Sequence, residues 1–321
     1  MKLGVLQFFS WTGRVALETV YARAFERIGV MDQGGYDAVW LAEHHFSTYS
    51  VCPSTTAMGA HVAARTSRLR IGTAVTLAAL YQPLRLAEEL ALLDVLSNGR
   101  LAWGAGRGFD PREFRAFGVP VEESAERMQE CVEVVLAAWR DGKLDHRGRH
   151  FEFHDVEVLP KPLQRPHPPV WLAASSPDAI VRAAKRGYSI LQDPHSSHAE
   201  IGRKRALYRA TLEQSGHAFA GRELPIARLL ACAPTDREAE EVARAGAQWT
   251  VGSYAGPMGD VSPEARVEAY VRDVVLHGSP EKLVERIAEL RETIGLDYLM
   301  CAPLSHASFT LFTDRVLPKL V

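Results

Sequence analysis

The 321-residue chain has only four cysteines, Cys52, Cys131, Cys232 and Cys301, and none stands in a C-x-x-C pair. That spacing excludes a zinc ribbon and a thioredoxin-like redox motif, and leaves reduced thiols as the expectation. No apolar run reaches the roughly 18–20 residues of a membrane-spanning helix. The start, MKLGVLQFF, passes straight into a strand-like pattern with no cleavable signal, so a cytoplasmic location is expected. An excess of one charge sign is missing too: 37 Lys and Arg against 39 Asp and Glu give a net charge of −2. Nothing in that balance calls for nucleic acid or an anionic membrane. A small organic molecule is the expected ligand.

Several motifs are absent. After the first strand the chain reads Gln7-Phe8-Phe9-Ser10-Trp11-Thr12-Gly13, with no G-x-G-x-x-G phosphate turn, which argues against a doubly wound dinucleotide-binding sheet. No G-x-S-x-G elbow appears and no H-x-H stands on the first strand, so serine-hydrolase and metal-hydrolase chemistry lose their usual supports.

What is present is a rhythm of short β-like runs and longer helical patterns from end to end, the signature of repeated βα units. The strands are read at Leu3–Phe9, Tyr36–Ala42, Leu69–Leu77, 100–106 (RLAWGAG), Pro169–Ala174, Tyr188–Gln192, Pro225–Cys232 and 296–302 (LDYLMCA). Helices are expected at Ala16–Met31, Pro53–Thr66, Pro83–Leu96, Val121–Arg140, from Pro177, from His198 to Gln214, at Asp236–Gly246 and at Pro280–Ile294. Eight strands in this length predict an α/β fold, a single (β/α)8 TIM barrel over residues 1–321, a fold that takes about 250 residues without insertions. Two segments interrupt the rhythm, 142–168 and 250–278. Both are expected insertions, and the Gly- and Pro-bearing second one is the expected lid.

In a barrel the active site gathers at the carboxyl ends of the strands. Strand two ends in Glu43-His44-His45. Successive side chains of a strand face opposite ways, so His44 and His45 are not expected to share a metal, and no metal site is predicted. One imidazole at the barrel mouth suits proton transfer at neutral pH; a strand-end histidine bonded to a carbonyl is the alternative. At the end of strand four, Gly104, Gly106 and Gly108 alternate around Ala105 and Arg107. They allow either a close ligand approach with Arg107 on a phosphate, or a tight strand exit with a surface arginine. At the end of strand five, Ala174-Ser175-Ser176-Pro177 opens a helix as an anion site, as an ordinary N-cap, or as both. His195 and His198 in DPHSSH follow strand six, and a substrate contact is open to His195 by position. His45 is a second candidate substrate contact.

Together these strand ends resemble the bacterial luciferase-like family of flavin-dependent monooxygenases. The resemblance rests on WLAEHHF, on IGTAVTLAALYQPLRLAEELALLDVLSNGRLAWGAGRGF, on GRHFEFHDV, on WLAASSPDAIVRAAKRG, and on GSPEKLVERI leading into LDYLM. It implies a luciferase-like barrel that binds reduced FMN as a cosubstrate, or in some branches a deazaflavin coenzyme. It further implies oxygen transfer to a small organic substrate through a flavin hydroperoxide. A separate flavin reductase and a homodimer follow from it as well. By this resemblance His44 is the catalytic residue. Arg107 and the Ala174-Ser175-Ser176 turn contact the flavin phosphate, and Ala74-Val75, where the family often has a cis peptide, lies under the isoalloxazine. Gly106 stands where the light-emitting catalytic subunit has cysteine, so aldehyde luminescence is not implied. The alternatives are hydride transfer with a deazaflavin and a non-enzymatic flavin-binding protein; the intact EHHF and Arg-Gly motifs favour an enzyme.

Overall fold

The computed structural model describes residues 1–254 and 262–320. Its strands are β1 (Lys2–Gln7), β2 (Ala38–Leu41), β3 (Arg70–Thr73), β4 (Thr76–Leu77), β5 (Leu101–Gly106), β6 (Leu144–Arg147), β7 (Glu152–Val156), β8 (Val170–Ala173), β9 (Ser189–Leu191), β10 (Ile226–Cys232), β11 (Leu276–Gly278) and β12 (Tyr298–Pro303). Eight of them, β1, β2, β3, β5, β8, β9, β10 and β12, are the eight read from the sequence. The chain divides into two compact units, one of Phe8–Tyr21 and Ala38–Ala173, the other of Met1–Gln7, Ala22–Asp37 and the residues from Ala174 onward.

In the first unit β2 pairs with β3, β3 with β5, and β5 with β8, all parallel, with Leu41 opposite Thr73 and Gly104 opposite Trp171. Every residue of β2 and β5 is buried, as parallel strands covered on both faces require. Indole rings fill the interior: Trp40 meets Trp171 edge-on at 5.4 Å, and Trp103 meets Trp139 at 5.4 Å. Gly72 lies directly under Trp40, where a Cβ would run into the indole. The helix Pro83–Leu96 has the ends expected of it. Gln82 caps it by accepting from Arg85 N at 2.7 Å, and the left-handed Asn98 and Gly99 turn the chain away. Residues 142–168 do leave the βα rhythm, as an antiparallel β6–β7 hairpin. Glu130 of the helix Ser124–Ala138 holds this hairpin, accepting from His150 N, Phe151 N and His146 Nε2 at 2.9–3.0 Å.

In the second unit β1 pairs with β12, β12 with β10, and β10 with β11, again parallel; Gln192 bridges to Ile226, which joins the end of β9 to β10. The helices His198–Gln214 and Pro280–Ile294 fall where the sequence puts them.

Four expectations need correction. Strand three is not continuous to Leu77: it breaks after Thr73, and β4 resumes beyond the cis Ala74–Val75 bond. Strand two stops at Leu41, so the alternation applied to His44 and His45 has no strand beneath it. The helix from Asp236, expected to end at Gly246, extends to Tyr254, into the expected insertion at 250–278. Its described parts are the end of that helix, the helix Pro263–Asp273 and β11, while residues 255–261, the centre of the expected lid, lie outside the described residues. A short helix, Pro111–Phe117, was not expected, although Asp110 as N-cap, Pro111 at its first turn and left-handed Gly118 at its end are all sequence signals.

Close packing at Gly72 predicts that Gly72→Ala destabilises the protein by about 1–3 kcal/mol through overpacking against Trp40. The midpoint of urea unfolding measures it, and an unchanged midpoint refutes the close approach.

Candidate active site

Beyond β2 the chain runs through Ala42 into Glu43, whose side chain is buried. Its carboxylate accepts from His45 Nε2 at 3.0 Å, Tyr81 Oη at 3.1 Å, Leu77 N at 3.4 Å and Thr55 Oγ1 at 3.5 Å. Burial pushes the Glu43 carboxyl above its ordinary range, and the donors from His45, Tyr81 and Leu77 pull against that shift without cancelling it. One side chain thus links the exit of β2 to the turn after β4. His45 is held from both ends: its ring by Glu43 and by the edge of Phe117 at 4.8 Å, its N–H by Glu113 Oε1 at 2.8 Å.

His44 has different company. Tyr49 meets its ring edge-on at 4.9 Å, Phe109 at 6.0 Å, and Phe8 stacks at 6.3 Å. Its Nδ1 lies 3.8 Å from Glu113 Oε1, too far for a hydrogen bond but within ion-pair range. Glu113 is buried and its Oε2 has no partner among the described residues. A partly exposed imidazole with aromatic walls and a carboxylate behind it can donate or take a proton on its open side. Glu113 is the site residue that reading the motifs missed. It sits on the unexpected helix Pro111–Phe117, and the Asp110-Pro111 start was the available signal.

The next two strand ends complete this side of the unit. Ala74 N donates to Leu41 O at 2.7 Å, and Thr73 Oγ1 joins both Gly104 N and Gly104 O. Ala74 and Val75 are partly exposed amid otherwise buried neighbours. At Gly106 a Cβ would come within 2.5 Å of Val75 Cγ2 and 3.3 Å of Ala173 Cβ, so the glycine is a packing requirement. Arg107 then leaves the strand exposed, with Nη1 on Ser124 Oγ at 3.2 Å. His44, Ala74, Val75 and Arg107 therefore belong to one unit, connected through Glu43 and Gly106.

In the second unit Ser176 caps the helix Pro177–Lys185 by accepting from Ala179 N at 3.3 Å, which is the ordinary N-cap role. Its hydroxyl hydrogen, with Ser175 exposed beside it, remains able to donate. Ala174 is buried and donates to Leu191 O at 3.4 Å. His195 Nδ1 meets Tyr270 Oη, and its N–H donates to Asp193 Oδ1 at 3.0 Å. His198 lies close by in sequence with a withdrawn ring. Burial, with Arg228 and Arg286 adding repulsion, lowers its pKa to about 3.

With this geometry in view, comparison with known proteins decides the family. The family model for luciferase-like monooxygenases matches residues 1–297. The chain belongs to that family. With membership comes the luciferase-like (β/α)8-barrel class that the strand count predicts. The uncharacterized protein y4vJ of Sinorhizobium fredii is 33% identical over 69% of this chain and 63% of its own length. The oxygenase component of a flavin-dependent trigonelline monooxygenase from Acinetobacter baylyi is 29% identical over 61% of this chain and 55% of its own. The chain thus spans less than two thirds of either relative. Among solved structures, the monooxygenase RslO1 of Streptomyces bottropensis superposes with a TM-score of 0.86 at 27% identity, covering 100% of both chains. No helix among the described residues is long and apolar enough to cross a membrane.

Two outcomes are expected of these side chains. Glu113→Ala removes the acceptor of His45 N and costs about 1–3 kcal/mol in urea unfolding; no loss refutes its anchoring role. The low pKa of His198 means the unfolded chain binds a proton there that the folded chain refuses, from pH ~6.5 down to about 3. Stability therefore falls on acidification through that window. His198→Gln flattens the wild-type slope between pH 6.5 and 4, and parallel slopes refute it.

Proposed function

We propose that this protein is the oxygenase component of a two-component monooxygenase, taking reduced FMN from a separate reductase and inserting one oxygen atom of O2 into a small organic substrate. The observation that carries this is the group formed by His44, buried Glu113, Ala74-Val75 and Arg107 in one unit of a luciferase-like chain. A relative described as an oxygenase component supports the division of labour.

The residues fit a flavin. Gly106 lets β5 press against Val75, leaving a partly exposed backbone edge at Ala74-Val75 for a flat ring system. Arg107 is exposed and spends one nitrogen on Ser124, which leaves guanidinium donors for a phosphate. Reduced flavin, when bound, supplies the electrons that activate O2. His44 holds or moves the proton at its open ring nitrogen toward the reacting oxygen, with Glu113 Oε1 3.8 Å behind Nδ1. Phe8, Tyr49 and Phe109 around that ring keep water from it. In this reading the protein is a cytoplasmic homodimer. The exposed Leu92, Val95 and Leu96 on the helix Pro83–Leu96 support a covered face there.

The test is anaerobic titration with reduced FMN and, in parallel, a reduced deazaflavin, followed by mixing with oxygen. Binding and oxygen use with FMN support the oxygenase; binding and hydride transfer only with the deazaflavin overturn it. His44→Ala is expected to keep FMN affinity while product per oxygen consumed falls about 100-fold or more, the usual worth of a general acid or base. Arg107→Ala is expected to weaken FMN about tenfold or more and riboflavin little. Equal losses for both ligands refute the phosphate contact.

A further inference from the structure

Arg228, on β10, is fully buried in the second unit. Its Nη1 donates to Ala227 O at 2.8 Å and to Asp193 O at 3.2 Å. Its Nε and Nη2 have no partner among the described residues, and these two donors form the side edge of the guanidinium. Beside it, both ring nitrogens of His198 are buried and equally without a partner. Burial lowers the pKa of Arg228 to about 10, and burial together with repulsion from Arg228 and Arg286 lowers that of His198.

The surrounding acids do not resolve this. Asp193 accepts from Lys204 Nζ at 3.2 Å, Ser196 Oγ at 3.0 Å and the N–H groups of His195 and Ser196. Glu200 is paired with the same Lys204 at 3.1 Å, and Asp273 is forked by Arg272 at 2.7–3.0 Å. Tyr270 Oη is on His195, and Arg286 donates to His277 O at 3.1 Å. Asp193 and Glu200 share Lys204 and Asp273 has Arg272, and among the described residues none of these carboxylates accepts from Arg228 Nε or Nη2. Arg228 is left as a buried cation with two open donors, an arrangement that is strongly unfavourable unless something else supplies the acceptors.

The geometry points to a carboxylate-binding site in this unit, with Arg228 Nε and Nη2 donating two parallel hydrogen bonds to the two oxygens of one carboxylate and a ring N–H of His198 beside it as a further donor. Two observations select that chemistry. A planar side edge matches a planar two-oxygen acceptor better than it matches a spherical halide. With the imidazole neutral when the site is empty, Arg228 is the one cation at the open donor edge, which suits a monoanion over a phosphate dianion. The site draws on none of the residues assigned to the flavin, so it stands or falls separately from the oxygenase reading. Its carboxylate belongs either to a small free acid or to a larger organic acid, and the probes below separate the two.

The experiment is thermal unfolding of the full chain after overnight equilibration with sodium acetate or sodium benzoate, with sodium chloride at equal ionic strength as reference. The wild type is expected to show a saturable rise in Tm with a carboxylate and none with chloride. A rise with acetate identifies a small free acid, and a rise confined to benzoate a larger organic acid. Arg228→Lys keeps a charge without the fork, and Arg228→Met removes both; each is expected to weaken the apparent affinity tenfold or more. Arg228→Met, which replaces a buried guanidinium with two open donors by an apolar stem, is expected to have a higher Tm than the wild type in chloride alone. Should both variants fail to fold, His198→Gln carries the test, with an expected weakening of about threefold or more. The proposal is overturned by a wild-type response equal in chloride and carboxylate, or by variants that respond as the wild type does.

Discussion

A carboxylate taken out of water must collect hydrogen-bond donors, and Glu43 collects them from every segment around it. His45 comes from two residues on, Thr55 from the next helix, Leu77 and Tyr81 from the chain after the cis Ala74–Val75 bond. Hydrogen bonds to a charged group contribute about 1.5–3 kcal/mol each, and leaving such a group bare costs more than any one of them returns. The consequence is geometric. Since the acceptor has one position, the exit of β2 and the turn after β4 are held in register with each other. His44, one residue along, inherits a defined place among Phe8, Tyr49 and Phe109.

Glu113 repeats the device with one difference. Its Oε1 is committed to His45 N, which fixes the backbone under His44, while Oε2 has no partner among the described residues. Around Glu43 every acceptor is answered, whereas around Arg228 and His198 the donors are in surplus. In a low-dielectric interior the first pattern gives rigidity and the second gives affinity for whatever brings the missing charge.

Much of this was legible along the chain. Helix ends at Pro83–Leu96, His198–Gln214 and Pro280–Ile294 fall where the sequence puts them because a side-chain acceptor precedes each first turn, with proline opening the first and the last. Reading failed where one short-range rule was carried past its element. Alternation was applied to His44 and His45, yet β2 ends at Leu41; the two histidines part ways because Glu43 captures one and an aromatic recess takes the other. The unbroken strand Leu69–Leu77 failed for a similar reason, since no local preference marks the break at Ala74.

By itself the sequence determined the βα rhythm, the eight parallel strands and the family, because periodicity, capping and motif order are properties of neighbours along a chain. It also marked Glu43-His44-His45 and Arg107 as groups standing at strand ends. Only the tertiary structure decided what each of them faces. That Glu113 stands behind His44, that Gly106 makes room for Val75, and that Arg228 is buried with two open donors all depend on residues far apart in the chain meeting in an interior where charge cannot be left to water.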